Sequence, residues 1–516
     1  MIEPPGEAEV TASAGAREVG RGSRLVRTAA WAALALVTLW STSRLRFVDP
    51  DFWHEIALAR EILRVGHVPS TDQFAYTPTV VPVVHHEWGS GLLFYGVVRA
   101  WGKNGLVALR DLSAFTALAL VVTAARRRGA SWPGIALLAP LVLVPGSASF
   151  TTVRAQLLTL VFFALLLLKL ESDERGSRRW AWSWPPLHLV WLNLHGGFVA
   201  GLGILLLHAG ERMLRRLSVR HLLVLGGVIV AIVPLNPFGL DYFSYLARAL
   251  TLPRTEIREW LPLWRQGEAL LLLFAMSISV ALYAWWRQDR RAVPGVLVVP
   301  ATAAAALLHG RHFSLYLLAW LAYVPAAFEG TPAGRFVSDL GRRRPLALAA
   351  ALLLLGLIFV PGLSVAGLTE ATIPHGPRPP GRAGLVYPTG AVAYLGEQRF
   401  RGNLMVPFTA GGYVAWKLAP AVRISIDGRY EVAFAPELLR EHIRFYNAAP
   451  GALEILGRYP TDAILVPVEA PVAGTLRRLT GWRLSYLDDS FAIFARQGVE
   501  LPALDRRGRI VEGTLP

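Results

Sequence analysis

Residues 345–367 read PLALAAALLLLGLIFVPGLSVAG, an apolar run without one charged side chain. As a helix, such a run crosses a hydrocarbon core of about 30 Å, and a spanning segment has to satisfy its own backbone hydrogen bonds, so the run predicts a transmembrane helix. Comparable runs of roughly 17 to 25 residues recur from Val26 to Gly367. Over the whole chain 53% of residues are hydrophobic, 17% are charged and mean hydropathy is +0.42, too apolar for 516 residues to fold as an ordinary water-soluble globule. The expected fold class is an all-α polytopic membrane helical bundle.

The net charge of +16 sits in short arginine clusters between the apolar runs, so membrane topology and anionic headgroups account for it better than nucleic acid does. There is no cysteine, which excludes disulfides, thiolate catalysis and Cys-ligated zinc or iron–sulfur centres. The small residues Ala12–Gly15 precede the first apolar run, where a processing site has to follow it, so no cleavable signal peptide is expected.

A cytoplasmic tail at residues 1–25, with Arg17, Arg21 and Arg24, and with Arg27 at its edge, sends a first span at about 28–44 outward across the plasma membrane. Residues 45–104 then form a first external loop. Its short apolar piece Gly89–Trp101, read as a helix in the interface, makes every later basic cluster cytoplasmic: Arg126–Arg128; Lys169 with Arg175, Arg178 and Arg179; Arg212, Arg215, Arg216 and Arg220; Arg287, Arg290 and Arg291; Arg342–Arg344. The spans between them are expected at 105–125, 132–148, 152–170, 181–196, 198–214, 219–235, 266–286, 293–309, 312–328 and 345–367. That makes about eleven spans in a transmembrane domain at 26–367, with interfacial helices in the first external loop. Residues 368–384 form a Pro/Gly linker containing PHGPRPPGRAG at 374–384. Residues 385–516 read as a small extracytoplasmic α/β domain, with strands at Asn403–Pro407, Arg423–Asp427, Ala463–Pro467 and Phe491–Ala495, a helix at Pro436–Tyr446, and length enough for a core of its own.

This topology gathers polar residues on the external side. Asp49 and Asp51, in DPDFWHE at 49–55, serve either as general base or magnesium or manganese ligands, or as caps of a helix Trp53–Leu63 with Trp53 as interface anchor. His85, His86 and Glu87 recur at the end of the same loop and, with His54, offer a zinc-type set, although no HExxH spacing is present. Arg154 and Gln156 open one span, Asn193 and His195 close another, Asn236 ends a third, and His309, Arg311 and His312 form a tight turn. Singly each reads as a cap, a turn residue or a snorkelling side chain. Together they rim a cavity with acids to act as bases and arginines to hold a phosphate through two-pronged geometry, which points to group transfer from a lipid carrier. In the C-terminal domain Tyr413, Trp416, Asp427 and Arg429 are candidates for acceptor binding, with a plain turn at Asp427–Gly428 as the alternative.

The first-loop text DPDFWHEIALAREILRVGHVPSTDQFAYT with HHEW, then VRAQLLTL, WLNLHGGF, LNPFG, GGYVAW and ISIDGR, resembles the GT-C superfamily of membrane glycosyltransferases that use polyprenyl-phosphate-linked sugars. The resemblance spans most of residues 45–435. It implies an inverting transfer from a polyprenyl phosphate or diphosphate carrier to an extracytoplasmic cell-envelope acceptor. Asp51 or Asp49 would be the base, and Arg154, His195, Arg311 and His312 the phosphate contacts. GGYVAW is similar in placement to the acceptor-recognition motif of oligosaccharyltransferases but lacks their WWDYG text, which argues against peptide acceptors. A lipid-linked sugar flippase or transporter is an alternative that wants ionisable residues at the midplane and repeated halves. A non-catalytic scaffold for envelope assembly is another.

Overall fold

The structure, a computed structural model, describes residues 7–44, 47–286, 288, 293–377, 384–503, 508 and 511–515, with residues 7–20 and Glu431 given by their backbone. Arg46, the basic cluster at Arg287, Arg290 and Arg291, residues 378–383 of the linker and the side chain of Arg17 lie outside the described residues.

The chain is mostly helical, and a helix stands at each expected span. In order these are α1 (Glu7–Ser43), α2 (Pro50–Val65) in the first loop, α3 (Trp88–Arg127), α4 (Trp132–Leu138), α5 (Pro140–Leu143), α6 (Gln156–Glu174), α7 (Trp180–Leu194), α8 (Phe198–Leu214) and α9 (Arg220–Ala231). They are followed by α10 (Asp241–Thr251), α11 (Glu268–Trp286), α12 (Val298–Leu308), α13 (Phe313–Glu329), α14 (Pro332–Arg343), α15 (Pro345–Leu357) and α16 (Val365–Thr369). Several expected spans are shorter than the apolar run that suggested them. The run at 132–148 is only α4 and α5 before a tight turn, α12 begins at Val298, and α15 stops at Leu357 ahead of Pro361. By length and composition, Arg21–Ser43, α3, α11 and Pro345–Gly362 are long and apolar enough to cross a membrane, and Gly310–Glu329 with Pro332–Arg343, bent by 79°, would add a fifth. The amphipathic α14 lies between the spans expected at 312–328 and 345–367, where no element was expected.

Two local features set the outer end. Asp49 is the N-cap of α2, its Oδ1 accepting from the Asp51 N–H at 3.1 Å, with Pro50 in the first turn and Gly66 left-handed at the C-cap. The helix therefore starts three residues earlier than Trp53, and Trp53 is fully buried rather than an interface anchor. Within α3 the backbone leaves helical geometry at Gly102, with φ 57° and ψ −150°, which separates the Gly89–Trp101 piece from the span behind it.

After the linker come α17 (Thr389–Glu397), β1 (Gly402–Met405), α18 (Gly411–Leu418), β2 (Val422–Ile424), α19 (Tyr430–Ala433) and α20 (Pro436–Tyr446). β3 (Ala463–Pro467), β4 (Trp482–Leu487) and β5 (Phe491–Arg496) complete a sheet of order β2-β1-β3-β5-β4. β1 runs parallel to β2 and β3, while β5 is antiparallel to β3 and β4. The strand β4 was not among those expected. One core, with Met405, Phe445, Ile464 and Phe494, belongs to this domain alone. A second is shared: Phe52, Trp53 and Ile56 of α2 pack with Tyr387, Leu404, Tyr413, Trp416 and Ile424. The first loop also covers the edge of β2, Tyr76 N–H donating to Ile424 O at 3.0 Å and Ile424 N–H to Phe74 O at 2.9 Å.

The junction is locked by a buried ion triplet. Arg429 donates through Nε to both Asp427 oxygens at 2.9 and 3.0 Å, with Nη2 ion-paired 2.8 Å from Asp427 Oδ2, and donates through Nη1 to Asp72 of the first loop. Arg429→Met leaves two buried carboxylates without their cation and is expected to destabilise the junction by about 3–5 kcal/mol. Thermal unfolding and proteolysis of the first loop measure this. A loss below about 1 kcal/mol, the range of an exposed pair, would contradict the role given to Arg429.

Candidate functional site

A cavity of about 660 Å³ opens where α2, the start of α6, the end of α7, the loop before α11 and the turn before α13 meet under the C-terminal domain. Asp49, Asp51, His54, His86, Glu87, Arg154, Gln156, His195, Arg311, His312 and Arg429 all line it. Seven other candidates do not, among them His85, which is buried, and His309, whose Nδ1 lies 2.9 Å from Trp260 O. Tyr413 and Trp416 are buried in the shared core, Tyr413 edge-on to Trp53 at 4.9 Å and Trp416 beneath the Arg60 guanidinium. Asp427 is the buried partner of Arg429 and also closes a tight turn by accepting the Arg429 N–H at 3.0 Å. Asn193 accepts from Trp88 Nε1 at 3.1 Å, and Asn236 accepts the Phe238 N–H at 2.7 Å as a turn residue.

The centre of the site is Arg154, just before α6. Its Nε lies 3.2 Å from Asp49 Oδ1, its Nη2 2.8 Å from Asp51 Oδ2 and its Nη1 2.8 Å from Glu259 Oε2. Glu259 reaches on to Arg311 Nη1 at 3.3 Å, and Arg311 stacks over the Trp260 ring at 4.4 Å. Glu259 and Trp260 were not singled out from the sequence. The cue was REW at 258–260, a charge pair and an aromatic in the same external loop as Arg254. Burial pushes the pKa of the Glu259 carboxyl up, but Arg154 and Arg311 outweigh it and hold the carboxyl down at about 2.

The two loop aspartates differ. Asp49 is buried and caps α2, whereas Asp51 is one-third exposed and turns Oδ1 toward Gly428. A Cβ at position 428 would lie 2.7 Å from that oxygen, so glycine is what lets the C-terminal domain close over Asp51. Both aspartates already hold Arg154, so a magnesium or manganese ion on this pair would have to compete with the guanidinium. One step deeper, His54, Glu55 and Glu87 offer ligand-type atoms within 4.8 Å of one another. The cavity's other walls are apolar: Val199 and Ala200 of α8, Leu246, Ala249 and Leu250 of α10, and Leu315.

No family model matches the chain, and no curated protein matches it in sequence. Among solved structures it is similar to the apo oligosaccharyltransferase of Archaeoglobus fulgidus, with TM-score 0.53 and 13% identity over 93% of this chain and 76% of that one. It also aligns with ArnT from Cupriavidus metallidurans bound to undecaprenyl phosphate, at TM-score 0.46 and 13% identity over 92% of this chain and 98% of that one.

Burial pushes the Asp49 carboxyl up from 3.8 to about 7; Arg154 opposes the rise and Asp51 adds to it. Between those two values the folded protein binds more protons at Asp49 than the unfolded chain does, so this group's contribution to stability falls as pH rises through the window. Asparagine can cap α2 but has no proton to lose. From about pH 5 to about pH 8 the thermal midpoint of the wild type is therefore expected to fall relative to that of Asp49→Asn. Midpoints that run parallel across the range would contradict the assignment.

Proposed function

We propose, from the GT-C fold that the chain shares with the oligosaccharyltransferase, that this protein is a membrane glycosyltransferase. It moves a sugar from a polyprenyl phosphate or diphosphate carrier to an acceptor outside the plasma membrane. The observation that carries this reading is that one carboxylate and two guanidiniums, from residues far apart in sequence, line one cavity with apolar walls.

In this reading the carrier's phosphate lies between Arg154 and Arg311, and its isoprenoid chain runs along α8 and α10. The bond between the anomeric carbon and the phosphate oxygen breaks, and the electron pair leaves on the phosphate. The acceptor oxygen bonds to the anomeric carbon from the opposite face, and its proton passes to Asp51 Oδ1. Two guanidiniums aimed at the leaving group stabilise charge as it develops. Glu259 occupies their shared space in the absence of donor, so the phosphate displaces it from the pair.

The helices at the eleven expected positions supply the spans, the shorter ones completed by neighbouring turns. Their basic ends face the cytoplasm. Asp173, at the far end of α6 from the cavity, holds Arg178 at 2.5 Å and Arg212 at 3.2 Å. A helix of that length is about 28 Å long, close to the thickness of the hydrocarbon core.

With purified protein in nanodiscs and a labelled polyprenyl-linked sugar, Asp51→Asn is expected to lower transfer by about 10²–10⁴-fold, the usual reach of general-base catalysis, with folding intact. Full transfer by Asp49→Asn/Asp51→Asn would overturn the base assignment. Glu259→Ala is expected to bind polyprenyl phosphate more tightly, by roughly tenfold if about 1.4 kcal/mol of competition is relieved, and unchanged or weaker binding would contradict the displacement step. Reporter fusions after Arg128, Arg179, Arg216 and Arg344 are expected to read cytoplasmic and one after Thr369 external. An external reading at Arg128 would place Gly89–Trp101 across the membrane instead of along it.

A further inference from the structure

Three helices that begin at the transfer cavity end together on the other side of the bundle. Gln156 opens α6 and lines the cavity, Glu87 immediately precedes α3, and His312 immediately precedes α13. At the opposite ends of these helices, Arg127 with Arg128, Glu171 with Arg175, and Ala326 with Ala327 surround a second cavity of about 230 Å³. Val293 and Pro294, before α12, join its lining. At about 30 Å³ per water, that is room for several waters or for one phosphate headgroup.

Three guanidiniums and two carboxylates face this space, and most of them are already paired. Glu171 Oε2 lies 3.6 Å from Arg127 Nη1, and Oε1 accepts from Arg175 Nε. Glu174 Oε1 lies 3.5 Å from Arg215 Nη2. Arg175 also donates to the carbonyl of Arg127, one of those that a helix end leaves without an internal partner. Outside the lining, Arg178 and Arg212 are held by Asp173 at 2.5 and 3.2 Å.

Arg128 is different. Its side chain is 5% exposed, yet Nε and Nη1 have no hydrogen-bond partner among the described residues. Nη2 makes one long bond, to Leu167 O at 3.4 Å, and the Glu174 carboxylate stands off at 3.9 Å from Nε. The guanidinium is stacked on the Tyr323 ring at 4.1 Å, which holds it in place without neutralising it. The Tyr323 hydroxyl, in the same lining, is buried and also lacks a partner among the described residues. A buried charge with open donors is costly, and a ligand that brings several acceptor oxygens removes that cost. Phosphate is such a ligand, and guanidinium donors suit it in geometry and charge. Basic pockets between helix ends at headgroup depth are also where phospholipid headgroups bind.

We propose that Arg128 and Tyr323 form a phosphate-binding site at the end of the bundle opposite the transfer cavity, taking the phosphate of a membrane phospholipid or of a soluble phosphate ester. The site shares no residue with the transfer cavity and does not depend on sugar transfer.

Full-length protein, delipidated in detergent, is titrated with phosphatidylglycerol under native mass spectrometry, and separately with glycerol 3-phosphate while the thermal midpoint is followed. The wild type is expected to bind one phosphate ligand saturably. Binding of phosphatidylglycerol alone identifies a lipid, and a raised midpoint with glycerol 3-phosphate identifies a soluble ester. Arg128→Gln is expected to weaken the binding at least tenfold, and Tyr323→Phe, which keeps the ring against the guanidinium, about fivefold. Arg311→Gln is expected to leave it unchanged, which separates this site from the phosphate contacts of the transfer cavity. The proposal is overturned by the absence of saturable binding in both titrations or by loss of binding in Arg311→Gln. Undiminished binding by Arg128→Gln, or by Tyr323→Phe should the first variant not fold, overturns it equally.

Discussion

A single guanidinium organises the outer end of this protein. Arg154 binds Asp49, Asp51 and Glu259 at once, each through a different nitrogen, and so ties the first loop, the start of α6 and the loop before α11 to one point. A charge taken out of water costs several kcal/mol unless its partners are well placed, and removing one member of such a group strands the others. Asp51 and Glu259 stay about one-third exposed, so the cluster can lose either of them more cheaply than it can lose Arg154. Three loops that are distant in sequence converge because Arg154 cannot be left unpaired there.

That arrangement also fixes what can be exchanged. Asp49 is locked as the cap of α2, and Asp51 is held beside Gly428 by the overlying domain. Glu259 is the partner on a short 3-10 turn, bridging two arginines at the polar end of a cavity whose far walls are apolar. An incoming phosphate carries the same kind of charge and a geometry that suits two guanidiniums better than a single carboxylate does. The C-terminal domain contributes in a different way from the acceptor platform expected for it: its aromatics Tyr413 and Trp416 build the shared core, while Gly428 and Arg429 form its edge of the cavity.

Much of this was legible in the sequence. The apolar runs located the helices because backbone satisfaction in a bilayer leaves little else to form, and their basic ends grouped the opposite, polar ends on one side. That grouping brought Asp51, Arg154, His195 and Arg311 onto the same list. Helix length was less legible: composition alone does not reveal that proline and tight turns cut 132–148 and 345–367 short. Asn193, Asn236 and Asp427 were polar for local reasons, satisfying a neighbouring indole, a turn and an arginine. Glu259 escaped notice because its importance comes from a tertiary ion pair in a loop without periodicity. The docking of α2 against the C-terminal sheet was invisible for a similar reason, since the Pro/Gly linker suggested separation where Trp53 and Tyr413 share a core.

The central claim is that the Arg154–Arg311 pair is the seat of the carrier's phosphate. A cryo-EM structure of the protein in nanodiscs with polyprenyl phosphate tests it most directly. The account predicts phosphate density between the two guanidiniums, Glu259 turned away from both, and the chain of the lipid along α8 and α10. Phosphate bound elsewhere, with Glu259 still bridging Arg154 and Arg311, would contradict it.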